Sequence, residues 1–312
     1  MSTRIHLLLV GLLAGILAFP LSGQERGPET PPFFANPESL IDGLFGKGTA
    51  EERQLLQEVD VPFSEERRLG QASTEQFLHS LKRQGIAVTD RGRNVEYLQQ
   101  LVATLHPHMT HAKRYRRIQV YVADSPLTDA RSFPGGTLVF FRGILEFAEN
   151  EAALVGVIGH ELSHLDRGHQ LTYLRRTKLT QTTFRAPNAA SPEELFATGI
   201  TLMRGFTNPF SPEDEAEADN DGATWAFRAG YDPREMAKLF LAMHRRDAGK
   251  GPAWQPAFFR THPFHKDRCR AVLERYDELQ RTEPTDNLYL GKTNLERRIP
   301  RAKHEFAEER AK

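Results

Sequence analysis

Apolar residues recur at three- and four-residue spacing in several stretches of this chain, and each stretch is bounded by residues that start or stop a helix. Val95, Leu98, Leu101, Val102 and Leu105 share one face of a helix predicted over Asn94–Leu105. Ser64 opens an earlier helix in a capping-box arrangement, and this helix runs towards Gln84 with Gly85 as its stop. From Glu151 to Ile158 the apolar positions again follow helical spacing, with Asn150 as N-cap, and the helix continues to Leu171. Gly156 and Gly159 within it cost helix propensity, which points to another backbone packed close by. Further on, Ser211 with Pro212 begins a helix that ends at Gly230. Asp232-Pro233 begins one running to about Ala248, and Asp267–Leu279 reads as a last amphipathic helix.

Period-two patterns are fewer. Ile118–Val122 alternates and is β-rich, and Thr137–Phe141 is a second strand that runs almost directly into the helix beginning at Glu151. Asp124–Pro134 between them reads as a loop and Gly135-Gly136 as a tight turn. Thr177–Pro192 is polar enough for a mobile loop, and Pro192–Arg204 for a helical piece. No repeat of 20 to 50 residues is present.

The ends of the chain differ from its middle. Arg4 and His6 precede an apolar run from Leu7 to Phe19, then Pro20 and the small pair Ser22-Gly23, the layout of an export signal cleaved near Gly23. An uncleaved membrane tether is the alternative, but the run is shorter than the roughly 20 residues that span a bilayer. The expected organisation is a signal peptide at 1–23, a Pro-rich linker or arm at 24–60, a catalytic domain at 61–282 and a polar tail at 283–312. Within the arm, Leu40–Phe45 is apolar enough to dock on its own domain or on a membrane or partner surface.

With 41 basic and 41 acidic residues in 312, no global field favours nucleic acid. The single Cys269 excludes a disulfide framework and reads as a buried structural thiol.

Chemistry concentrates in His160-Glu161-Leu162-Ser163-His164. Two imidazoles four residues apart on a helix project from one face and can share one tetrahedral zinc ion. Glu161 is then placed to take a proton from a metal-bound water. A third ligand is needed, and the acidic helix start Ser211–Asp219 offers Glu215 and Asp219, four apart on one face. One of these carboxylates can bind the metal and the other can accept from a ligating histidine. His106, His108 and His111 also cluster, but Pro107 and the adjoining Lys113, Arg114, Arg116 and Arg117 read as an exposed basic loop.

The order Phe133-Pro134-Gly135-Gly136, Glu151, the HExxH pentad, His169, Glu215-x-x-x-Asp219 with Ala218, then Thr261-His262-Pro263 and Arg268 resembles the HtpX/BepA family of zinc metallopeptidases. Relatives of that family are the CaaX prenyl proteases and the mitochondrial inner-membrane stress protease. The resemblance covers about Ser64–Leu279 and is nearest the exported BepA-type branch, without its tetratricopeptide repeats. Asp129-Ala130 stands where the family usually has Asn-Ala, and Pro212 where an Arg usually follows the serine.

This resemblance implies an α+β, helix-rich zincin fold of the gluzincin type, with a small antiparallel sheet beside the HExxH helix. It implies one zinc ion per chain held by His160, His164 and Glu215, with Glu161 as general base and Asp219 behind a ligating histidine. His262 would approach the metal as a removable fourth ligand or stabilise the transition state. His169, five residues past His164, would point away from the metal.

The expected function is a zinc-dependent endopeptidase of the bacterial cell envelope that hydrolyses misfolded or unassembled proteins in the periplasm, a quality-control role. Its substrates would lie extended beside Thr137–Phe141, with contact to a membrane surface or to outer-membrane assembly. The alternative is a latent zinc-bound chaperone or scaffold whose site His262 closes, and a third reading is a zinc hydrolase of small amides or peptidoglycan peptides.

Overall fold

A computed structural model describes residues 50–184, 210–246, 257–264 and 266–310. The export-like segment 1–23, the docking stretch Leu40–Phe45 and the predicted helix Pro192–Arg204 fall outside these residues. In chain order the elements are α1 (Ala50–Glu58), α2 (Phe63–Arg83), β1 (Val88–Thr89), α3 (Arg93–Leu105), β2 (Gln119–Ala123), β3 (Ala130–Phe133), β4 (Thr137–Phe141) and α4 (Arg142–Phe147). They continue with α5 (Glu151–Arg167), α6 (Thr172–Phe184), α7 (Pro212–Arg228), α8 (Arg234–Arg246), α9 (Ala257–Thr261), α10 (Lys266–Thr282) and α11 (Lys292–Arg297).

The chain divides into two compact units, Met1–Asp60 with Thr172–Thr201, and Val61–Leu171 with Leu202–Lys312. In the first unit α1 and α6 pack together, joined by Arg176 Nε donating to Glu52 Oε1 at 2.8 Å. Residues from Thr177 to Phe184 are helical rather than looped, because polar composition misleads where no Gly or Pro interrupts the run. The strong helix formers of Ala50–Glu58 likewise make α1 inside the stretch read as linker.

The second unit is built around α5. Its N-cap Asn150 accepts from Ala153 N at 2.9 Å, and every residue from Glu151 to Asp166 is buried. Val120, Val122, Leu138 and Phe140 of the sheet, together with α3, α7 and α8, enclose it in one apolar core. The opposite sheet face, carrying Phe133, Val139 and Phe141, is covered by Phe77, Leu78 and Leu81 of α2. That helix starts at Phe63 with Pro62 as N-cap and without a side-chain cap, so the expected Ser64 box does not form.

The sheet corrects two expectations. Its order is β1-β2-β4-β3, and it is mixed: β2 and β4 run parallel, Gln119 to Thr137 through Ala123 to Phe141, while β1 and β3 are antiparallel to their neighbours. After β2 the chain passes to the far edge, forms β3 where a loop was expected, and turns at Gly135-Gly136 to insert β4 between them. Both glycines have positive φ, 78° and 96°, which a side chain would strain.

The second correction concerns Thr137–Phe141, expected beside an extended substrate. It is paired on both sides and cannot accept another strand. The run Leu138-Val139-Phe140-Phe141, buried on both faces, is that of an interior strand. Among the described residues the edges of the sheet are the two-residue β1 and, nearer Glu161, β3. Phe141 N donates to Asp129 O at 3.0 Å, so in an antiparallel ladder Arg131 and Phe133 direct their backbone groups at β4, and Ala130 and Ser132 direct theirs outward.

Residues 283–310 are more than a polar tail. Leu288, Tyr289, Asn294 and Leu295 are buried, and Tyr289 bridges to Tyr231 and Arg310. A few buried side chains suffice to seat this segment, and its many charged neighbours hid them in the sequence. Among the described residues, no helix is long and apolar enough to cross a membrane.

Candidate active site

Two helices carry the site because they come unusually close. A Cβ on Gly159 of α5 would stand 2.8 Å from Gly222 Cα of α7, and one on Gly222 would stand 2.9 Å from His160 N. Only glycine on both sides permits this approach. The helix start predicted at Ser211 forms in full: Asp214 N donates to Ser211 Oγ at 3.1 Å and Ser211 N to Asp214 Oδ2 at 3.3 Å, with Pro212 in the first turn. This cap fixes the phase of α7, so Glu215 and Asp219 turn inward, each about 1% exposed.

The structure brings His160, His164, Glu215 and His262 together, each buried, with one donor atom apiece lying within 4.8 Å of one another. His160 Nε2 is 3.1 Å from both His164 Nε2 and His262 Nδ1. Glu215 Oε1 is 2.9 Å from His262 Nδ1 and 3.4 Å from His164 Nε2. Donors in a tetrahedron with bonds of about 2.1 Å stand roughly 3.4 Å apart, so the chemistry and approximate spacing of these side chains suit a zinc-sized ion. Among the described residues no other group of His, Cys, Asp and Glu is so placed, and the predicted loop histidines His106, His108 and His111 do not converge.

Asp219 and Arg268 surround this donor set. Asp219 Oδ1 lies 2.9 Å from His160 Nδ1. Arg268 donates from Nε to Asp219 Oδ2 at 2.6 Å and from Nη2 to Asp219 Oδ1 at 2.8 Å, while its Nη1 is 2.6 Å from Glu215 Oε2. Its Nη1 also donates to the carbonyls of His262 and Pro263 at 3.2 and 3.1 Å. One buried guanidinium therefore neutralises two carboxylates and fastens the Thr-His-Pro segment. Sequence reading used Arg268 only as a motif position, because this role depends on α10 crossing α7 and α8.

Electrostatics follow from burial and these partners. Burial acts to raise Glu215, but His262, Arg268 and His160 outweigh it and hold the carboxyl well below its ordinary value. Asp219 is lowered in the same way, burial being overcome by Arg268 and His160. Burial drives His164 well below the usual imidazole range, which keeps it neutral. His262 is raised against its burial by Glu215 and Glu161.

Glu161 stands beside the donors and outside their set. Burial raises its carboxyl, opposed by His262, His160 and Ser132, which makes it a stronger base than an exposed glutamate. Its Oε2 accepts from Ser132 Oγ at 2.7 Å, and Ser132 Oγ accepts from Gln170 Nε2 at 2.7 Å. Its Oε1 is buried, makes no hydrogen bond and lies 3.3 Å from His262 Nε2. A carboxylate oxygen left unpaired in a buried site is where a water or substrate group belongs. Ser132 escaped sequence reading because β3 was not recognised. Ala130-Arg131-Ser132-Phe133 does not alternate polar and apolar residues, so its sequence carried no strand signal.

Aromatic rings close the walls. His164 stacks on Phe210 with centroids 3.9 Å apart, and His262 on Phe258 at 4.3 Å.

The sequence pattern of peptidase family M48 matches residues 92–276, from the start of α3 to α10, and so takes in every side chain just described. This chain belongs to peptidase family M48. The chain is 28% identical over 206 residues to the mitochondrial metalloendopeptidase OMA1 of Schizosaccharomyces pombe, covering 62% of this chain and 60% of that one. It is also 28% identical over 217 residues to the mitochondrial metalloendopeptidase OMA1 of Danio rerio, covering 66% of this chain and 45% of the relative. To the beta-barrel assembly-enhancing protease of Escherichia coli K12 it is 22% identical over 211 residues, 63% of this chain and 42% of that protein. The matches thus span between 42 and 60% of these relatives' own lengths.

Proposed function

We propose that this metallopeptidase is a zinc endopeptidase of the bacterial cell envelope that cleaves misfolded or unassembled proteins. The observation that carries the reading is the buried His160-His164-Glu215 donor set, flanked by Glu161 and an open strand edge. The export-like N-terminus and the likeness to a beta-barrel assembly-enhancing protease support an envelope location.

His160, His164 and Glu215 would hold the ion and Asp219 would orient His160. When bound, zinc supplies Lewis acidity, polarising the scissile carbonyl and acidifying the attacking water. Glu161 takes the proton from that water and delivers it to the leaving amine, while Ser132 holds the carboxylate in line. An extended segment of an unfolded substrate pairs with β3 through the outward backbone groups of Ala130 and Ser132. Backbone pairing reads no particular side chain, which suits substrates recognised by being unfolded. Ser132 O already accepts from Gln170 Nε2 at 3.3 Å, so this side-chain amide stands where a substrate amide would bind.

The test is zinc content together with cleavage of an unfolded protein. Purified protein is expected to carry one zinc per chain and to cut reduced casein. A chelator should abolish cutting, and one equivalent of zinc should restore it. Cleavage that persists in fully stripped protein would overturn the reading.

A second reading is favoured by His262, whose Nδ1 already sits among the donors. A catalytic zinc keeps one coordination position open, so a fourth protein donor there makes the enzyme latent, and the chain then acts as a chaperone or scaffold until His262 withdraws. His262→Ala is expected to raise the rate of casein cleavage several-fold. A fall in rate would instead assign His262 to stabilising charge in the transition state.

A further inference from the structure

Behind His160 stands a carboxylate, but behind His164 stands another histidine. His164 Nε2 faces the donor set, and its Nδ1 is 2.9 Å from His169 Nδ1. His169 follows the C-cap Gly168 of α5, in the single 3-10 turn His169–Leu171, and is about 9% exposed. Its other nitrogen, Nε2, lies 3.3 Å from Glu217 Oε2 and 3.9 Å from Asp214 Oδ1. Glu217 in turn accepts from Arg167 Nη1 at 2.9 Å, and Arg167 is held by Asp221 through Nε at 2.6 Å.

We propose that His169 and Glu217 are positioning residues that fix the tautomer and ring orientation of His164 for metal binding. The inference rests on the zinc reading above.

The argument is one of donors and acceptors. Two ring nitrogens 2.9 Å apart need one proton between them. If His164 is to offer the lone pair of Nε2 to a metal, its proton must sit on Nδ1, which makes it the donor. His169 Nδ1 is then the acceptor, and the proton of a neutral His169 belongs on Nε2, which faces Glu217. Every contact in the chain from Glu217 through His169 to His164 is satisfied in that one arrangement. Phe210 stacked on His164 limits tilting of the ring, but a stacked ring does not choose which nitrogen carries the proton.

Glu215, Glu217 and Asp219 thereby serve one site from a single helix. The first faces the metal position, and the third reaches its histidine directly. The second, half-exposed and pointing past the end of α5, needs an imidazole to bridge the gap.

The experiment is zinc affinity of the full chain, measured by competition with a chromophoric chelator. His169→Leu removes the acceptor, whereas His169→Asn returns an oxygen near the position of Nδ1. His169→Leu is expected to bind zinc about 10–100-fold more weakly, the usual consequence of losing a partner behind a ligand. His169→Asn should recover most of that loss, and Glu217→Ala should fall between wild type and His169→Leu. Wild-type affinity in His169→Leu, or equal weakening in the Asn variant, overturns the proposal. If His169→Leu does not fold, Glu217→Ala decides, and an unchanged affinity there overturns it. Failure of the wild type itself to take up zinc overturns the zinc reading and this inference together.

Discussion

Glu161→Gln is expected to lose about two to four orders of magnitude in kcat on casein while binding zinc as the wild type does. The substitution keeps the volume of the side chain, and the amide oxygen can still accept from Ser132. What it removes is the capacity to hold a proton. Glu161 lies outside the group of four donors, so the metal stoichiometry should be unaffected. The check pairs a zinc assay with steady-state cleavage on the same preparation. Activity close to wild type would sink Glu161 as the base. Loss of activity together with loss of zinc would show that it binds the metal instead.

The largest stability effect is expected from Arg268→Leu. Arg268 is about 6% exposed and is the cation shared by Glu215 and Asp219, themselves about 1% exposed. Deleting it leaves two buried carboxylates with the histidines His160, His164 and His262 as their remaining partners. Breaking a buried charge network from one side costs about 3–5 kcal/mol. For a domain of this size that is a fall in Tm of roughly 6–20 °C, read in metal-free protein by thermal unfolding. Arg268→Lys should recover only part of the loss, since a point charge cannot reach both carboxylates and the two carbonyls that the planar fork spans. A Tm unchanged in Arg268→Leu would mean that the network contributes no net stability. Adding zinc should narrow the deficit of the Leu variant, because an ion beside Glu215 replaces part of the missing positive charge.

How much of this was legible beforehand depended on how local each signal was. The pentad at 160–164 declares its geometry within one helical turn, and the Ser211-Pro212-Asp214 cap fixes which carboxylates of α7 face inward. Both are short-range facts, and the structure places those side chains together. The glycines of α5 announced a close neighbour, and Gly222 on α7 proved to be the backbone against Gly159. The sheet was less legible. Strand order depends on which segments pair across the fold, and nothing within Thr137–Phe141 states its neighbours, although its unbroken apolar run agrees with an interior place. β3 is only four residues long and holds an arginine and a serine, so it read as loop. Ser132 and the open edge were lost with it. Arg268 was visible as a residue, but its partners lie 49 positions away for Asp219 and on another helix.

Glu151, at the first turn of α5, carries a consequence for the order in which this chain becomes functional. It is fully buried, and its carboxylate accepts from Tyr97 and Tyr231 hydroxyls at 2.7 Å each and from Arg301 N at 2.9 Å. Glu151 N and Ala152 N donate to the carbonyls of Gly291 and Leu290 at 3.1 and 2.9 Å. The helix that bears His160 and His164 is therefore moored at its start by bonds to residues 138 to 150 positions further along. A ribosome delivers those residues only after the whole of α5 and α7 has emerged, and closing so long a loop is entropically slow. His160 and His164 are therefore made well before the residues that anchor the start of their helix, and that anchoring waits for the segment from Leu290 to Arg301.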